Sequence, residues 1–346
     1  MAEEPNLHLP ALLEQVLEGR PLRGEQAGAL MRAWLEERVE PVQTGALLAA
    51  LRARGVNGEE LAAMAEVLRQ ACPLPGPRPE LPLVDTCGTG GDGADSFNIS
   101  TAVAFVAAAA GAHVAKHGNR SASGRVGSAD VLEALGLHLQ APAPQVVAAL
   151  PEAGVTFLFA PGWHPALVGL APLRRALGIR TVFNLLGPLV NPLQPDAQVL
   201  GVARPDLLDP MAEALRRLGL ARAVVVHGHG GLDEASLSGA SELRLLEGGE
   251  IRRLQLDPAA LGLTPAPLEA LAGGDVATNA AILEAVLRGQ GTPAQRQVVA
   301  LNAALVLWAA GRAESIEEGL QLAGSVLEGD AAWQRLLSLR ERLAAA

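Results

Sequence analysis

Three stretches of this 346-residue chain carry residue types and spacings suited to phosphate chemistry. The first is Gly88-Thr-Gly-Gly-Asp-Gly93, followed by Ser96-Phe-Asn-Ile-Ser-Thr101 and an alanine-rich run. Glycines let a backbone approach an anion closely, and the free N–H groups opening a helix favour negative charge. Ser96, Asn98, Ser100 and Thr101 add donors, more than capping one helix requires. The second is Lys116-His-Gly-Asn-Arg120, then Ser121, Ser123, Gly124, Arg125, Gly127 and Ser128. Lys116 is the only lysine among 27 basic residues, although lysine is ordinarily common. One ammonium kept between two glycine loops points to phosphate, with chance survival as the plain alternative. His117 alone would read as a core histidine; beside Lys116 and Arg120 it reads as part of a ligand shell. Two such loops imply a ligand with two phosphate groups, or with a diphosphate and a phosphate.

The third stretch is Asp233-Glu234, after His227-Gly-His-Gly-Gly231. Adjacent carboxylates on a loop suit Mg2+, which prefers oxygen ligands and bridges to phosphates; in isolation the pair would read as a solvated acidic turn. His227 and His229 lack the further ligands a zinc site needs. Gly88-x-Gly90-x-x-Gly93 matches the dinucleotide fingerprint by letter only, because Ala94 to Asn98 intervene before the helical pattern begins. No Gly-Lys-Ser/Thr of a P-loop occurs.

These residues need a frame. From Leu9 to Cys72 the pattern is helical, with apolar stripes at Leu47, Leu48 and Leu51 and at Leu61, Met64, Ala65 and Leu68. Breaks at Gly19-Arg-Pro21, Pro41 and Gly55-Val-Asn-Gly58 divide it into about four helices. Residues 73–80, with prolines at 73, 75, 77 and 79, read as an extended connector between a helical domain (1–72) and a second domain (81–346). There, candidate strands Leu81–Asp85, Ala112–Ala115, Val155–Phe159, Gln198–Val202, Ala223–His227 and Glu242–Leu246 alternate with helices around 100–110, 127–136, 143–151, 206–218, 278–288 and 293–310. A further helical stretch covers Glu314 to Ala345. The alternation predicts an α/β domain with a mostly parallel sheet covered by helices, whose ligands sit beyond the carboxyl ends of the strands.

A helix over His164 to Leu177 puts Arg174 in line with Leu167 and Leu170, while Arg175 projects elsewhere. An arginine on an inward stripe usually has an anionic partner. The net charge of -10 and the absence of tyrosine argue against nucleic acid. Two cysteines are too few for a disulfide framework, the acidic start is unlike a signal peptide, and Ala102 to Ala112 is too short to span a bilayer. The expectation is a cytoplasmic protein with no membrane partner.

Asp85-Thr-Cys-Gly-Thr-Gly-Gly-Asp92, Asn98-Ile-Ser-Thr101, Lys116-His-Gly-Asn119 and Gly127-Ser-Ala-Asp-Val-Leu-Glu133 together resemble the motif set of the anthranilate phosphoribosyltransferase family. The similarity continues through Arg180-Thr-Val-Phe-Asn-Leu-Leu-Gly-Pro-Leu-Val-Asn-Pro192 and Gly231-Leu-Asp-Glu234, so it spans most of the chain. The resemblance implies a small helical domain, a homodimer formed through it, and helices around 164–190 packing back on it. It also implies transfer of a phosphoribosyl group from phosphoribosyl pyrophosphate (PRPP) to anthranilate, in tryptophan biosynthesis. PRPP binding then falls on Gly88, Gly91, Asp92, Ser96, Asn98, Ile99, Ser100, Thr101, Lys116, His117, Gly118, Asn119, Arg120, Ser121, Ala122, Ser123, Gly124 and Ser128. Anthranilate falls on Gly88, Asn119 and Arg174, and Mg2+ on Ser100, Asp233 and Glu234. No side chain is implied as a catalytic acid or base. Gly124 stands where the family usually has a second serine. The rivals are a pyrimidine nucleoside phosphorylase, a non-catalytic nucleic-acid-binding homologue of the same fold and a dinucleotide-dependent oxidoreductase.

Overall fold

The computed structural model describes residues 7–120, 126–167 and 169–344. Four helices open the chain: α1 (Leu9–Leu17), α2 (Gly24–Leu35), α3 (Pro41–Arg54) and α4 (Gly58–Gln70). Their apolar stripes, including Leu47, Leu48, Leu51, Leu61, Met64 and Leu68, are buried together. Asn57 caps α4, its side chain accepting from the Glu60 N–H at 2.9 Å. Glu60 in turn pairs with Arg54 and accepts the Leu22 N–H, so the buried carboxylate is satisfied.

The second unit runs β1 (Leu83–Gly88), α5 (Ile99–Ala109), β2 (His113–Gly118), α6 (Ser128–Ala134), α7 (Ala143–Ala148), α8 (Leu150–Ala153), β3 (Val155–Phe159), α9 (Ala160–Trp163), α10 (Ala171–Leu177) and α11 (Val182–Leu186). It continues through β4 (Ala197–Gly201), α12 (Leu208–Arg217), β5 (Arg222–His227), β6 (Ser241–Glu247), β7 (Glu250–Leu256) and α13 (Val276–Leu287). α14 (Pro293–Ala309), α15 (Ile316–Val326) and α16 (Ala331–Leu343) end it. The seven strands form one sheet in the order β3-β2-β1-β4-β5-β6-β7. β1 to β5 are parallel, as the alternating pattern predicts, and β5, β6 and β7 pair antiparallel.

Side-chain alternation along a strand divides the apolar material between two cores. Val224 and Val226 of β5 join α5 and α14 on one face. Ala223 and Val225 join α12 and the helical bundle on the other. β1 lies between β2 and β4, so the strand order reverses there. The crevice at such a reversal is where open α/β sheets bind ligands.

Three expectations need correction. β1 and β2 run three residues further than their apolar cores, so Gly88, Lys116, His117 and Gly118 lie on strands rather than loops. β7 is an additional strand, mostly exposed and polar, so no apolar run marks it. Gly248 and Gly249, at φ 58° and 83°, make the tight hairpin that returns it to β6. The helix over His164–Leu177 is broken: a 3-10 turn covers Pro165–Leu167, and α10 starts only at Ala171. Pro165 and Pro172 lack the N–H groups a continuous helix would use.

Candidate active site

The site gathers beyond the carboxyl ends of β1, β2, β4 and β5. Gly88 ends β1 in register with Gly201 of β4. A Cβ at Gly88 would collide with the Asp233 carboxylate, and one at Gly201 with the Asp233 backbone carbonyl. Gly228, after β5, is bare because the Glu234 carbonyl takes that space. Three strand-end glycines thus let segment 232–234 fold down over the sheet. There Asp233 Oδ2 accepts the Gly90 N–H at 2.7 Å.

Asp92 completes the cluster: oxygens of Asp92, Asp233 and Glu234 lie within 4.8 Å of one another. Burial, reinforced by the charge of Asp92, pushes Asp233 up to about 6. Glu234 is raised well above the usual carboxylate range by burial and then by Asp233 and Asp92. Its Oε2 is buried with no hydrogen-bond partner. Crowded carboxylates with an orphaned oxygen fit a hard divalent cation. The acidic pair is therefore no solvated turn, and the sequence motif understates the cluster by one carboxylate, Asp92.

Lys116 is 3% exposed and lies on the α5 side of β2. Its Nζ donates to the Thr86 carbonyl at 2.7 Å and to Ser100 Oγ at 3.2 Å. Burial lowers its pKa, against which Asp85 acts first and Glu234 and Asp233 further on. Asp85, fully buried, accepts the His117 N–H at 3.1 Å and Asn191 Nδ2 at 2.9 Å. Burial raises its carboxyl to about 6. The ammonium thus underpins the serine and acids of the cluster instead of standing free in a loop.

His117, one residue on, faces the opposite side of the strand, so the two side chains do not share a shell. Its ring stands edge-on to His164 at 5.2 Å between centroids. The Gly187 and Val190 carbonyls accept from His117 and His164, leaving both Nε2 atoms buried and unpartnered. Burial brings His117 down to about 3 and His164 to about 4, so both are neutral. The unfolded chain binds these protons near 6.5 and the folded one does not, so their contribution to stability is complete above 6.5 and lost as pH falls toward 4. We expect the difference in Tm between the wild type and His164→Asn to shrink over that range. Thermal scans from pH 7.5 to 4.5 check it, and a constant difference would refute the neutral burial of His164.

The remaining expected residues fall in distinct places. Gly91, at φ 78°, leaves no room for a Cβ because the Arg180 guanidinium fills that space. Ser96 bridges to Ala272. Asn98 Nδ2 donates to the Val126 carbonyl at 3.2 Å, while its Oδ1 and the buried Thr101 hydroxyl have no partner. Ile99 is buried, so only its backbone can meet a ligand. Gly118 admits the Phe157 ring and the Ser128 hydroxyl. Asn119 is exposed, its Oδ1 accepting the Arg120 N–H at 2.7 Å. Arg120 is committed to Asp130 and Glu133 on α6 and covers the Phe159 ring at 5.7 Å, so it is not a free phosphate ligand. Ser121, Ala122, Ser123 and Gly124 lie outside the described residues. Arg174 is half-buried and Arg175 exposed. The broken helix removes the alignment with Leu167 and Leu170; Arg174 instead places its guanidinium over the Phe183 ring at 5.2 Å.

Sequence reasoning misses Arg180, Asn191 and His164. Arg180 Nη2 donates to the Thr89 carbonyl at 2.6 Å, bracing the glycine loop. Asn191 ties segment 187–193 to β1 and β2 through Asp85 and the Ala115 carbonyl. Arg69 of α4 holds the same segment at the Leu189 carbonyl, 2.8 Å away. Arg180 and Asn191 lie inside a motif that quotes them without a role, and a lone His164 carries no signal.

Known proteins share this arrangement. Residues 80–332 match the family model "Glycosyl transferase family, a/b domain", and residues 10–72 match "Glycosyl transferase family, helical bundle domain". The anthranilate phosphoribosyltransferase of Prochlorococcus marinus (strain MIT 9313) is 70% identical over 332 residues, 96% of this chain and 95% of the relative. That of Synechococcus sp. (strain CC9311) is 70% identical over 334 residues, 96% of each. Among solved structures, anthranilate phosphoribosyltransferase from Thermus thermophilus superposes with a TM-score of 0.89 at 47% identity, covering 96% of this chain and 99% of that one. The Saccharomyces cerevisiae enzyme in complex with PRPP and Mg gives 0.85 at 25% identity, covering 98% and 99%. The chain belongs to the anthranilate phosphoribosyltransferases of the glycosyl transferase family.

Proposed function

We propose that the chain transfers the phosphoribosyl group of PRPP to the amine of anthranilate, releasing pyrophosphate, as a step of tryptophan biosynthesis. The observation that carries this reading is the group of buried Asp233 with half-buried Asp92 and Glu234, facing a glycine loop at the strand-order reversal. The nucleoside phosphorylase reading, which needs only phosphate, leaves those acids without a use.

In this reading Ser100, Asp233 and Glu234, with Asp92 beside them, hold Mg2+. Bound there, Mg2+ offsets the charge that gathers on departing pyrophosphate. The glycine loop and the opening of α5 offer N–H and hydroxyl donors to the diphosphate, a preorganised arrangement that stabilises developing charge. Asn119 and Ser128, just past the end of β2, are the described residues available to meet a second anion. As the C1–oxygen bond breaks, the ribose carbon gains oxocarbenium character, the anthranilate nitrogen bonds to C1, and that nitrogen then gives up a proton. An arylamine is neutral and nucleophilic at pH 7, so positioning by Gly88, Asn119 and Arg174 does much of the work and no strong base is required. Arg174 reads the carboxylate, a role supported by donors that meet no acceptor among the described residues.

The reading extends to a homodimer through the helical bundle, supported by the exposed Leu17 and Val42, 64% and 84% accessible. Among the described residues no helix is long and apolar enough to cross a membrane. A cytoplasmic setting would keep the free Cys72 and Cys87 reduced.

Mixing the protein with PRPP, Mg2+ and anthranilate should quench anthranilate fluorescence only when all three are present; no loss of signal would overturn the reading. Arg174→Ala should raise the KM for anthranilate by roughly ten- to a hundredfold, as expected for a lost charged hydrogen bond. The KM for PRPP should change little, and Arg175→Ala should be nearly silent. Greater damage from Arg175→Ala would remove Arg174 from this role.

A further inference from the structure

Arg174 makes no hydrogen bond or ion pair with any described residue, yet it is half-buried. Its one specific contact is the Phe183 ring, 5.2 Å from the guanidinium carbon. Phe183, 5% exposed, is itself fixed by Trp34 of α2, with ring centroids 5.6 Å apart and planes inclined at 53°. Trp34 is 1% exposed, and its indole N–H is buried without an acceptor. Leaving that donor unmet is unfavourable, so the indole contributes here through its ring and not its hydrogen bond. Leu173 and Leu177 of α10 pack against the helical bundle and line, with Trp34, a cavity of about 870 Å³ that Arg174 does not line. The Phe183 ring is thus the one specific contact that orients the guanidinium among the described residues.

A ring holds a cation through its quadrupole and commits none of the guanidinium donors to an acceptor. A carboxylate needs that planar fork open. We propose that Phe183, held by Trp34 of the helical bundle, is a positioning residue that presents the Arg174 fork to the carboxylate of the arylamine substrate. This rests on the reading of Arg174 given above. It gives the helical bundle a part in substrate selection, because one member of the ring pair belongs to it.

Phe183→Leu keeps apolar bulk and removes the ring. We expect the KM for anthranilate to rise roughly three- to tenfold, the range of a partly desolvated cation–ring contact, with the KM for PRPP within about twofold of wild type on the same grounds. Aniline lacks the carboxylate, so its kcat/KM should stay put and the preference for anthranilate over aniline should fall by the same factor. In an Arg174→Ala background Phe183→Leu should add nothing. Trp34→Leu should repeat the effect and Trp34→Phe should restore wild-type behaviour, a comparison that serves equally if Phe183→Leu fails to fold. Equal losses on anthranilate and aniline, or an effect fully additive with Arg174→Ala, would reduce Phe183 to a packing residue. A silent Arg174→Ala would overturn the carboxylate reading itself, and this inference with it.

Discussion

Replacing Asp233 with Asn and Glu234 with Gln together lowers turnover about a hundredfold to a thousandfold, the usual scale for removing preorganised charge stabilisation. Anthranilate binding stays near normal, and the Mg2+ concentration needed for half-maximal rate rises. The cause lies in the crowding of Asp92, Asp233 and Glu234, whose oxygens lie within 4.8 Å of one another. Burial opposes all this negative charge, so the fold bears the strain of an arrangement that a divalent cation relieves. The amides keep the shape and remove that charge. A second readout follows: without metal, the double variant should melt above the wild type because like-charge repulsion is gone. Fluorescence-based rates across a Mg2+ titration and melting curves in chelator decide the matter. A wild-type Mg2+ titration would show that the cluster holds no catalytic metal.

Lys116→Met has the next largest expected effect. The ammonium is 3% exposed and donates to the Thr86 carbonyl and Ser100 Oγ, while the charges of Asp85, Glu234 and Asp233 act against the burial that lowers its pKa. Losing a charged hydrogen bond and leaving its buried acceptor unmet typically costs about 1.5–3 kcal/mol. We therefore expect a marked fall in Tm together with a sharp loss of PRPP use, since Ser100 loses its donor. Melting curves and PRPP saturation kinetics, read side by side, check the two effects. A wild-type Tm for Lys116→Met would mean that the ammonium is not a structural counter-charge.

The parts of the site legible in the sequence are those carried by contiguous residues. Gly88 to Gly93, Lys116 to Asn119 and Asp233-Glu234 stand out because glycine and charge cluster there, and strand ends bring all three to one crevice. Arg174 is reached by a helical phase that Pro165 and Pro172 destroy; its half-burial arises instead from packing against Phe183. Lys116 and His117 look like one shell when the strand is taken to end at Ala115. Once the strand continues to Gly118, alternation sends them to opposite faces. Asn191, Arg180 and His164 act across distances of 47 to 106 residues, counted from the ring pair at 117 and 164 and from the Asn191–Asp85 bond. No local pattern encodes such pairings. The polar edge strand Glu250–Leu256 is invisible for another reason: exposed on a sheet edge, it needs no apolar alternation.

The buried position of Lys116 also sets how this protein meets amine-directed reagents. Its only side-chain amine lies sealed beneath Ser100, so acylating reagents at neutral pH find no side-chain amine on the described surface. Acylation of Lys116 would then time the opening of the crevice itself, and its rate, followed by mass spectrometry, would be a clock for that motion without any engineered label.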